Sequence, residues 1–279
     1  MSSPSSEQPL DEQVRNTVDE RGISWITLDR PDVKNAISPD QRDRMIRLLG
    51  EASADLGIRA VVLGATGDAF CTGADLRARR TPAPRPDGAP ERGVGEVAKM
   101  IREGAQRLVA AVMDCEKPVL AAVGGTAAGI GAHLAFACDL VIAADDVRFI
   151  EVFARRGLVP DGGGAYLLPR TIGLQKAKEL MFFGDDLPAA EAAALGLVNR
   201  VVPRAELDAA VDEWAGRLAE APTRALGLTK ALINRSLDSD RATAFNEEAV
   251  AQELNMGTAD ANEGVAAFVE RRSPTYRGW

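Results

Sequence analysis

A glycine-rich stretch, Lys117–Asp139, carries the clearest chemical pattern of this chain. An apolar run typical of a buried strand, Val119–Val123, precedes a turn of glycines and alanines and then an apolar segment with helical spacing. Such a turn leaves unpaired backbone N–H groups at the helix start, where the helix dipole favours negative charge. The only histidine, His133, falls on the helix face that carries Ile130. The pattern indicates either an anion-binding corner with an acid–base group or a packed corner with a core histidine.

A second glycine-rich corner, Gly67–Leu76, follows another apolar run, Ala60–Gly64. Two such corners are what an oxyanion hole requires, because two backbone N–H groups must converge on one oxygen from separate segments. Each such donor is typically worth about 3–4 kcal/mol in the transition state. The candidate donors are the N–H groups of Ala74 and Ile130. Backbone donors need no particular side chain, so both corners are equally compatible with ordinary turns.

Length and composition limit the possible classes of function. A chain of 279 residues buries roughly three quarters of its unfolded surface and forms one or two domains. The net charge of −8 and the lack of a long basic run argue against nucleic acid as a partner. No apolar stretch reaches membrane-spanning length, and the N-terminus does not resemble a signal peptide. We therefore expect a cytoplasmic protein without a membrane or nucleic-acid partner.

The cysteines support the same compartment. Cys71, Cys115 and Cys138 are scattered and odd in number, and no C-x-x-C pair occurs. This spacing argues against a disulfide framework and a metal site, and it is typical of a reducing compartment. We expect no metal or redox cofactor, because no cluster of ligands is evident.

The elements that must position these residues alternate between strands and helices up to about residue 203. Residues 1–13 are polar and rich in serine, and we expect them to be disordered. Ser38 and Pro39 predict the start of a helix, as N-cap and first helical residue. The predicted strands are Gly22–Leu28, Ala60–Gly64, Val119–Val123, Leu140–Ala143, Val147–Phe149 and Leu197–Val202.

Two further regions complete the organisation. The segment Arg77–Gly95 is rich in proline, arginine and glycine, which predicts a long loop that acts as a lid or pocket wall or is an insertion without consequence. Beyond residue 203 the pattern changes to amphipathic helices alone. Their predicted ranges are Arg204–Ala219, Pro222–Arg235, Arg241–Met256 and Asp260–Glu270. The sequence thus predicts an α/β core over residues 14–203 and a helical region over 204–279. The helical region packs either on the core or on neighbouring subunits, and we favour oligomer contacts.

Several motifs resemble the crotonase (enoyl-CoA hydratase/isomerase) superfamily in order and spacing. They are R-P-D-V-K-N-A-I-S, A-F-C-T-G-A-D-L, K-P-V-L-A-A-V-G-G-T-A-A-G-I-G, A-C-D-L-V-I-A and G-L-V-P-D-G-G. The resemblance covers the chain from about Ile23 to the C-terminus. It implies an α/β fold built as a spiral of ββα units, with a C-terminal helical region that builds trimers, often paired into hexamers. It also implies an acyl-CoA thioester as substrate, with coenzyme A as part of the substrate and no further cofactor.

The resemblance further implies a set of binding residues. The thioester oxygen would lie between the N–H groups of Ala74 and Ile130, the same pair that the glycine corners indicate. The other residues assigned to substrate or CoA are Lys34, Ala36, Thr72, Asp75, Leu76, Gly129 and Phe153, together with Phe268 and Arg271, which would contact the CoA of a neighbouring subunit. An arginine suits a phosphate contact, although Arg271 also fits a solvated helix end.

This chain departs from the hydratase pattern at both acid–base positions. Hydratases of the family use two glutamates, and by alignment of the motifs these positions fall on His133 and Phe153. Phenylalanine cannot transfer a proton, so the standard hydratase mechanism does not fit. Glu151 is offset by two residues, and we interpret it as a surface or salt-bridge residue.

Asp161 is the carboxylate that the resemblance favours instead. Family isomerases carry a carboxylate in this Pro-x-Gly-Gly corner, and the run around it looks most like the ring-1,2-epoxyphenylacetyl-CoA isomerase-like members. One carboxylate near both carbons can take a proton from one and return it to the other. Alternatively, Asp161 is a turn residue or the N-cap of the following helix. His133 is either a second acid–base group or part of the pocket wall.

The sequence therefore leads to one preferred hypothesis and several alternatives. The preferred function is double-bond or related isomerisation of an acyl-CoA, with Asp161 as proton shuttle. The alternatives are enoyl-CoA hydration through His133 or Asp161, a non-catalytic acyl-CoA binder, and a structural oligomer without acyl-CoA affinity. The acyl group cannot be deduced from the sequence.

Overall fold

Two β-sheets frame the fold. The computed structural model describes residues 8–78, 84–90 and 93–279, and the following account is of these residues. Their strands are β1 (Val14–Val18), β2 (Ile23–Leu28), β3 (Ala60–Ala65), β4 (Ala69–Cys71), β5 (Val119–Val123), β6 (Thr126–Ala128), β7 (Leu140–Ala144), β8 (Arg148–Ile150), β9 (Asp186–Pro188) and β10 (Arg200–Val202). The larger sheet has the order β1-β2-β3-β5-β7-β10, and the smaller one has the order β4-β6-β8-β9.

Both sheets are mainly parallel. In the larger sheet only the β1–β2 pair is antiparallel, and β2, β3, β5, β7 and β10 run parallel to their neighbours. In the smaller sheet β4, β6 and β8 are parallel, and β9 is antiparallel to β8. The strands β3, β5 and β7 are almost wholly buried, as expected of parallel strands covered on both faces.

Twelve α-helices are present in the described residues. They are α1 (Leu10–Gln13), α2 (Pro39–Ala54), α3 (Glu96–Ile101), α4 (Arg107–Met113), α5 (Ile130–Ala137), α6 (Gly164–Ile172), α7 (Leu174–Phe183), α8 (Ala189–Ala194), α9 (Leu207–Glu220), α10 (Thr223–Ser236), α11 (Arg241–Met256) and α12 (Ala259–Glu270). A π-helical segment, Arg102–Gln106, joins α3 to α4. Helix α9 packs on β3, β5 and β7, whereas α5 packs on β4 and β6.

The strands and helices repeat as a unit. Each of β3, β5 and β7 is followed after a short turn by a short strand of the smaller sheet, namely β4, β6 and β8. A helical segment then returns the chain to the next strand of the larger sheet. The predicted α/β spiral of ββα units with a C-terminal helical region is therefore confirmed.

Helix α2 shows how local sequence determines an element boundary. The Ser38 side chain accepts a hydrogen bond from the N–H of Gln41, and the Gln41 side chain accepts one from the N–H of Ser38. This capping box satisfies two backbone donors at the helix start, and Pro39 occupies the first helical position. The predicted start of the helix is therefore confirmed.

The structure differs from the sequence prediction at the N-terminus. Residues 1–7 lie outside the described residues, but Leu10–Gln13 form a helical turn rather than a disordered tail. Val14–Val18, for which no strand was predicted, is the antiparallel edge strand of the larger sheet, and its Val14 is buried. Pairing with β2 supplies the order that the polar composition of this segment does not predict.

The predicted loop Arg77–Gly95 is only partly within the described residues. Residues 79–83 and 91–92 lie outside them, and residues 84–90 form neither helix nor strand. The helical stretch after this loop, from α3 to α4, is interrupted at Gly104, which has a non-helical backbone and lies against the Arg42 side chain. In the described residues, no helix is both long and apolar enough to cross a membrane.

Candidate functional site

The two glycine corners are brought together by the smaller sheet. β4 and β6 are parallel neighbours, so the residues after their carboxyl ends lie at the same edge. A Cβ atom added to Gly131 would lie 2.1 Å from the carbonyl oxygen of Cys71, and one added to Gly73 would lie 3.4 Å from the carbonyl oxygen of Ala128. The first turn of α5 therefore packs directly on the Cys71–Asp75 segment, with no room for a side chain at Gly131.

The backbone around Ala74 leaves one N–H group without a partner. The N–H of Ile37 donates to the carbonyl oxygen of Gly73 (2.8 Å), and the N–H of Asp75 donates to the carbonyl oxygen of Ile37 (2.9 Å). Since neighbouring residues of an extended segment present their N–H groups to opposite sides, the Ala74 N–H faces away from Ile37. It donates to no other group in the described part of the chain.

The N–H of Ile130 is also unpaired in the described residues, because Ile130 is the first residue of α5. The preceding Gly129 has φ +55° and ψ −125°, a backbone conformation that glycine alone adopts readily. Its own N–H donates to the carbonyl oxygen of Ile150 at 2.9 Å, which ties the start of α5 to β8. Two unpaired backbone donors thus belong to two corners that touch each other.

A third segment, Lys34–Ile37, borders the Ala74 corner. Both the N–H and the hydroxyl of Thr72 donate to the carbonyl oxygen of Lys34, at 3.2 and 3.1 Å. Lys34 is exposed and Ala36 is half-buried. The structure therefore brings together the two segments to which the sequence assigned CoA contacts.

Asn35, which the sequence reasoning did not single out, holds this segment in place. Asn35 is buried and, like Lys34, has a left-handed backbone, with φ +54°. Its side chain donates to the carbonyl oxygens of Thr66 and Ala69 at 2.8 Å each and accepts a hydrogen bond from the N–H of Arg30 at 2.8 Å. An asparagine three residues before a helix cap is a turn signal, but two of its three partners, Thr66 and Ala69, are distant in sequence.

Asp75 and Leu76 differ in what they offer a ligand. The Asp75 carboxylate lies 3.3 Å from Nη1 of Arg30 and accepts a hydrogen bond from the N–H of Arg77 at 3.1 Å. Its side chain is therefore engaged in organising the corner. Leu76 is 69% exposed and presents an apolar surface beside Ala74.

His133 is part of a buried pair with Glu151. The ring is fully buried, Glu151 is only 4% exposed, and Nε2 lies 3.0 and 3.1 Å from the two carboxylate oxygens. The interpretation of Glu151 as a surface residue is wrong, because its buried carboxylate pairs with the His133 ring, which makes a salt bridge only if the ring is protonated. The two residues are separated by the rest of α5 and the strands β7 and β8, so their spacing in the sequence gives no sign of the pairing.

Phe153 covers the other side of the imidazole. The two rings stack with centroids 5.3 Å apart and an angle of 12° between their planes. Phe153 is itself buried and its ring also lies close to the position of Gly129. The two positions that the family resemblance aligns with the hydratase glutamates are thus occupied by a stacked pair that carries one titratable side chain.

Asp161 lies on the corner that encloses this pair. A Cβ atom added to Gly162 would lie 3.0 Å from Nδ1 of His133 and 2.3 Å from Cδ1 of Ile130. The residue next to Asp161 therefore contacts both the imidazole and the first residue of α5. Asp161 is half-buried, and burial raises the pKa of its carboxyl, an effect that a charge on His133 opposes.

The alternative role of Asp161 as a helix cap is wrong. The N-cap of α6 is Gly163, and no side chain caps that helix. The Asp161 carboxyl makes no hydrogen bond to any other described residue. Its partial burial is therefore not explained by a partner within the chain. Its environment is that of a carboxyl group available for a ligand.

The two C-terminal candidates lie at the end of α12. Phe268 is 85% exposed, and Arg271 is the exposed C-cap residue with φ +57°. A large, freely exposed phenylalanine beside an arginine fits a contact surface for another molecule. Among the described residues, neither side chain has a hydrogen bond or ion pair that explains its position.

Known proteins are similar to this chain in sequence and in fold. A family model described as enoyl-CoA hydratase/isomerase matches residues 19–278. A protein of Rhodobacter capsulatus named "Probable enoyl-CoA hydratase" is 38% identical over 92% of this chain and 95% of its own length. The 1,2-epoxyphenylacetyl-CoA isomerase of Escherichia coli (strain K12) is 36% identical over 93% of this chain and 96% of its own. The crystal structure of an enoyl-CoA hydratase from Mycobacterium smegmatis has a TM-score of 0.85 and 33% identity, and the match covers 96% of this chain and 99% of that one. The chain belongs to the enoyl-CoA hydratase/isomerase family of enzymes.

Proposed function

We propose that this enzyme isomerises an acyl-CoA thioester, shifting a double bond through an enolate intermediate. The observation that carries the proposal is the half-buried Asp161 carboxyl, which lies next to the imidazole pocket and makes no hydrogen bond to another described side chain. The occupation of the second glutamate position by Phe153 supports it, since that position cannot transfer a proton. The relative named 1,2-epoxyphenylacetyl-CoA isomerase also supports isomerisation.

The reaction needs one base and one oxyanion site. The Asp161 carboxylate removes a proton from one carbon of the acyl group, and the electron pair of that C–H bond moves into the π system and onto the thioester oxygen. The N–H groups of Ala74 and Ile130 donate to this oxygen, and each donor contributes about 3–4 kcal/mol. The protonated Asp161 then returns the proton to the other carbon, so the double bond shifts without gain or loss of atoms.

The raised pKa of Asp161 suits this role. Burial destabilises the carboxylate and makes it a stronger base than an exposed aspartate, which brings its pKa closer to that of the substrate carbon acid. Because the same burial stabilises the neutral carboxyl, the proton stays on Asp161 until the enolate takes it back.

The surrounding surfaces supply the binding part of the proposal. We assign the CoA moiety to the segment with Lys34 and Ala36 and to the corner with Thr72 and Leu76, because backbone pairing holds these segments together. Phe268 and Arg271 would complete the site of a neighbouring subunit in a trimer or a dimer of trimers.

Hydration is the second candidate, and one specific observation favours it. The first hydratase position holds an imidazole that is paired with a buried carboxylate, and this pair is chemically able to exchange a proton. A relative of this chain is named as a hydratase. Against this candidate, His133 is fully buried, so water has no direct access to its ring in this conformation.

Asp161→Asn tests the proposal, with deuterium exchange at the α and γ carbons of a CoA-ester panel as readout. We expect the wild type to exchange both positions and the variant to lose exchange at least about 100-fold, the lower end of what a positioned acid–base group contributes. Unchanged exchange in the variant would refute the role of Asp161. Products are assayed separately for water addition, and a hydrated product would favour hydration. Binding of a CoA ester without any deuterium exchange would favour a non-catalytic binder.

A further inference from the structure

The buried pair of His133 and Glu151 has a defined hydrogen-bond direction. An ionised carboxylate can only accept, and both of its oxygens lie within 3.1 Å of Nε2. The proton of a neutral ring therefore belongs on Nε2, where Glu151 accepts it. Both side chains are more than nine-tenths buried, so water does not compete for this bond.

The other ring nitrogen is left without a partner. Nδ1 is the one buried side-chain nitrogen or oxygen in the described residues that has no hydrogen-bond partner. A proton on Nδ1 would leave a buried donor unsatisfied and would turn the Nε2 lone pair towards a carboxylate, two costs that the opposite tautomer avoids. In the favoured form, Nδ1 carries a lone pair and no hydrogen.

The glycine corner is shaped around this ring. A Cβ atom at Gly164 would lie 2.1 Å from Nε2, and one at Gly162 would lie 3.0 Å from Nδ1. Nδ1 therefore faces the residue that directly follows Asp161, and a positive charge on the ring would act to lower the pKa of the Asp161 carboxyl. An acceptor without a partner thus lies against the residue that follows Asp161, whose carboxyl group becomes a donor when it is protonated.

We infer that Glu151 is a positioning residue that holds His133 as the Nε2–H tautomer and thereby keeps Nδ1 as the hydrogen-bond acceptor for protonated Asp161. This inference rests on the proposed role of Asp161 as proton shuttle. Asp161 receives the substrate proton, donates its O–H to Nδ1 while the enolate exists, and then returns the same proton to the second carbon. The proton never leaves the carboxyl oxygen except to the substrate, and Glu151 keeps its charge throughout.

The single histidine makes a direct test possible. Magic-angle-spinning 15N NMR of protein labelled in histidine, with any histidine tag removed, reports two ring nitrogens from one residue. We expect a protonated Nε2 and an unprotonated Nδ1 in the pH range in which the enzyme is active. A proton on Nδ1 in that range, in either the other tautomer or an imidazolium, would overturn the inference.

Variants of Glu151 separate positioning from mere packing. Glu151→Gln keeps an accepting oxygen, so we expect the same tautomer and a kcat within about tenfold of the wild type. Glu151→Leu removes the acceptor, so we expect mixed tautomers and a kcat roughly 100-fold lower at unchanged KM, the lower end of an acid–base contribution. The matched control is Glu213→Gln, which removes an exposed carboxylate that pairs with Arg200 and should change neither readout.

The outcomes also distinguish this inference from the proposed function. A wild-type tautomer in Glu151→Leu, with kcat unchanged, would overturn the positioning role even if Asp161→Asn abolishes exchange. If Glu151→Leu does not fold, the wild-type spectrum and the glutamine variant still decide. If no CoA ester is isomerised, the proposed function fails. The 15N NMR spectra of the wild type and the Glu151 variants still test whether Glu151 determines the tautomer of His133.

Discussion

His133 and Phe153 occupy the two positions that the family resemblance aligns with the glutamates of hydratases. One position now holds an aromatic ring without a titratable proton, and the other holds an imidazole whose Nε2 is already bonded to Glu151. Because the substituted groups stack on each other and are buried, they form a wall rather than an open pair of acid–base groups. In the mechanism proposed above, proton transfer to the substrate is therefore assigned to Asp161, which precedes the Gly162 that contacts this wall.

The burial of Asp161 predicts a dependence of stability on pH. Burial raises the pKa of the folded-state carboxyl above its unfolded value, so the folded protein binds this proton more strongly than the unfolded chain. Ionisation therefore costs folding stability at neutral pH, and the cost disappears as the pH falls below the unfolded pKa. We expect Asp161→Asn to be more stable than the wild type at pH 7, with a difference that vanishes in acid.

Urea unfolding of the two proteins between neutral and acidic pH measures this difference. Asp146→Asn, which removes an exposed carboxylate paired with Arg204, serves as a control for the loss of one negative charge. A wild type that is more stable than Asp161→Asn at pH 7 would contradict the prediction.

The pocket for the imidazole also predicts the effect of one added methyl group. Gly164→Ala would place a Cβ atom 2.1 Å from Nε2 of His133, a contact that the buried ring cannot escape without moving Phe153 or Glu151. Overpacking of this kind typically costs about 1–3 kcal/mol, so we expect a lower free energy of unfolding together with lower activity.

Gly50→Ala is the matched control for this substitution. Gly50 lies within α2 and an added Cβ atom meets nothing within 4 Å. Alanine there should stabilise the protein by roughly 0.5–1 kcal/mol, because glycine is a poor helix former. Chemical denaturation compares both variants, and equal effects in the two would refute the steric argument.

At the scale of elements, Asn35 connects the proposed CoA segment to the turn between β3 and β4. Asn35→Ala removes three hydrogen bonds in a buried site and leaves a left-handed backbone that asparagine tolerates better than alanine. At about 1 kcal/mol for each hydrogen bond, we expect a loss of about 3 kcal/mol in unfolding free energy. The segment that contains Lys34 should loosen, so KM for an acyl-CoA should rise more than kcat falls.

Asn262→Ala provides the comparison for this variant. The Asn262 side chain makes one exposed hydrogen bond, to the carbonyl oxygen of Thr258. Its loss should change stability by less than about 1 kcal/mol and leave KM unaltered. An Asn35→Ala enzyme with wild-type stability and KM would show that the three hydrogen bonds do not hold the segment.

The elements that could be predicted from sequence are those with enough residues to show a pattern. Val119–Val123 and the four C-terminal helices are long or apolar enough, and their predicted ranges agree with the structure to within a few residues. Of the three-residue strands, β8 and β10 overlap predicted strands, whereas β4, β6 and β9 are too short for alternation to be visible and were not predicted. Two of them lie inside the glycine corners, so these corners are strand–turn units rather than simple turns.

In the site too, features that depend on neighbouring residues could be predicted, whereas contacts between residues distant in sequence could not. The unpaired N–H of Ile130 follows from the local sequence, because a helix start after a glycine always leaves free donors. The pairing of His133 with Glu151 depends on β8 lying beside β6, a contact that no spacing in the sequence encodes. For the same reason, Asp161 as a helix cap was a reasonable local prediction that the position of Gly163 overturns.

At the scale of the whole molecule, the exposed face of α12 predicts association between copies of the chain. Val265, Phe268 and Val269 have the i, i+3, i+4 spacing of one helix face, and each is more than half exposed. Three large apolar side chains in a contiguous stripe are typical of an interaction surface. The helical region that carries them is the one to which the sequence assigns oligomer contacts.

Sedimentation velocity of the double variant Val265→Asp, Val269→Asp measures this association without altering Phe268. We expect the wild type to sediment as a trimer or hexamer. Burial of each valine contributes about 2 kcal/mol to the association free energy. Loss of both should therefore raise the protein concentration at which the assembly is half dissociated roughly 1,000-fold. Leu56→Asp, which changes an isolated leucine of similar exposure, should leave the assembly intact. A monomeric wild type, or an assembly that the double variant does not weaken, would show that this face is not the interface.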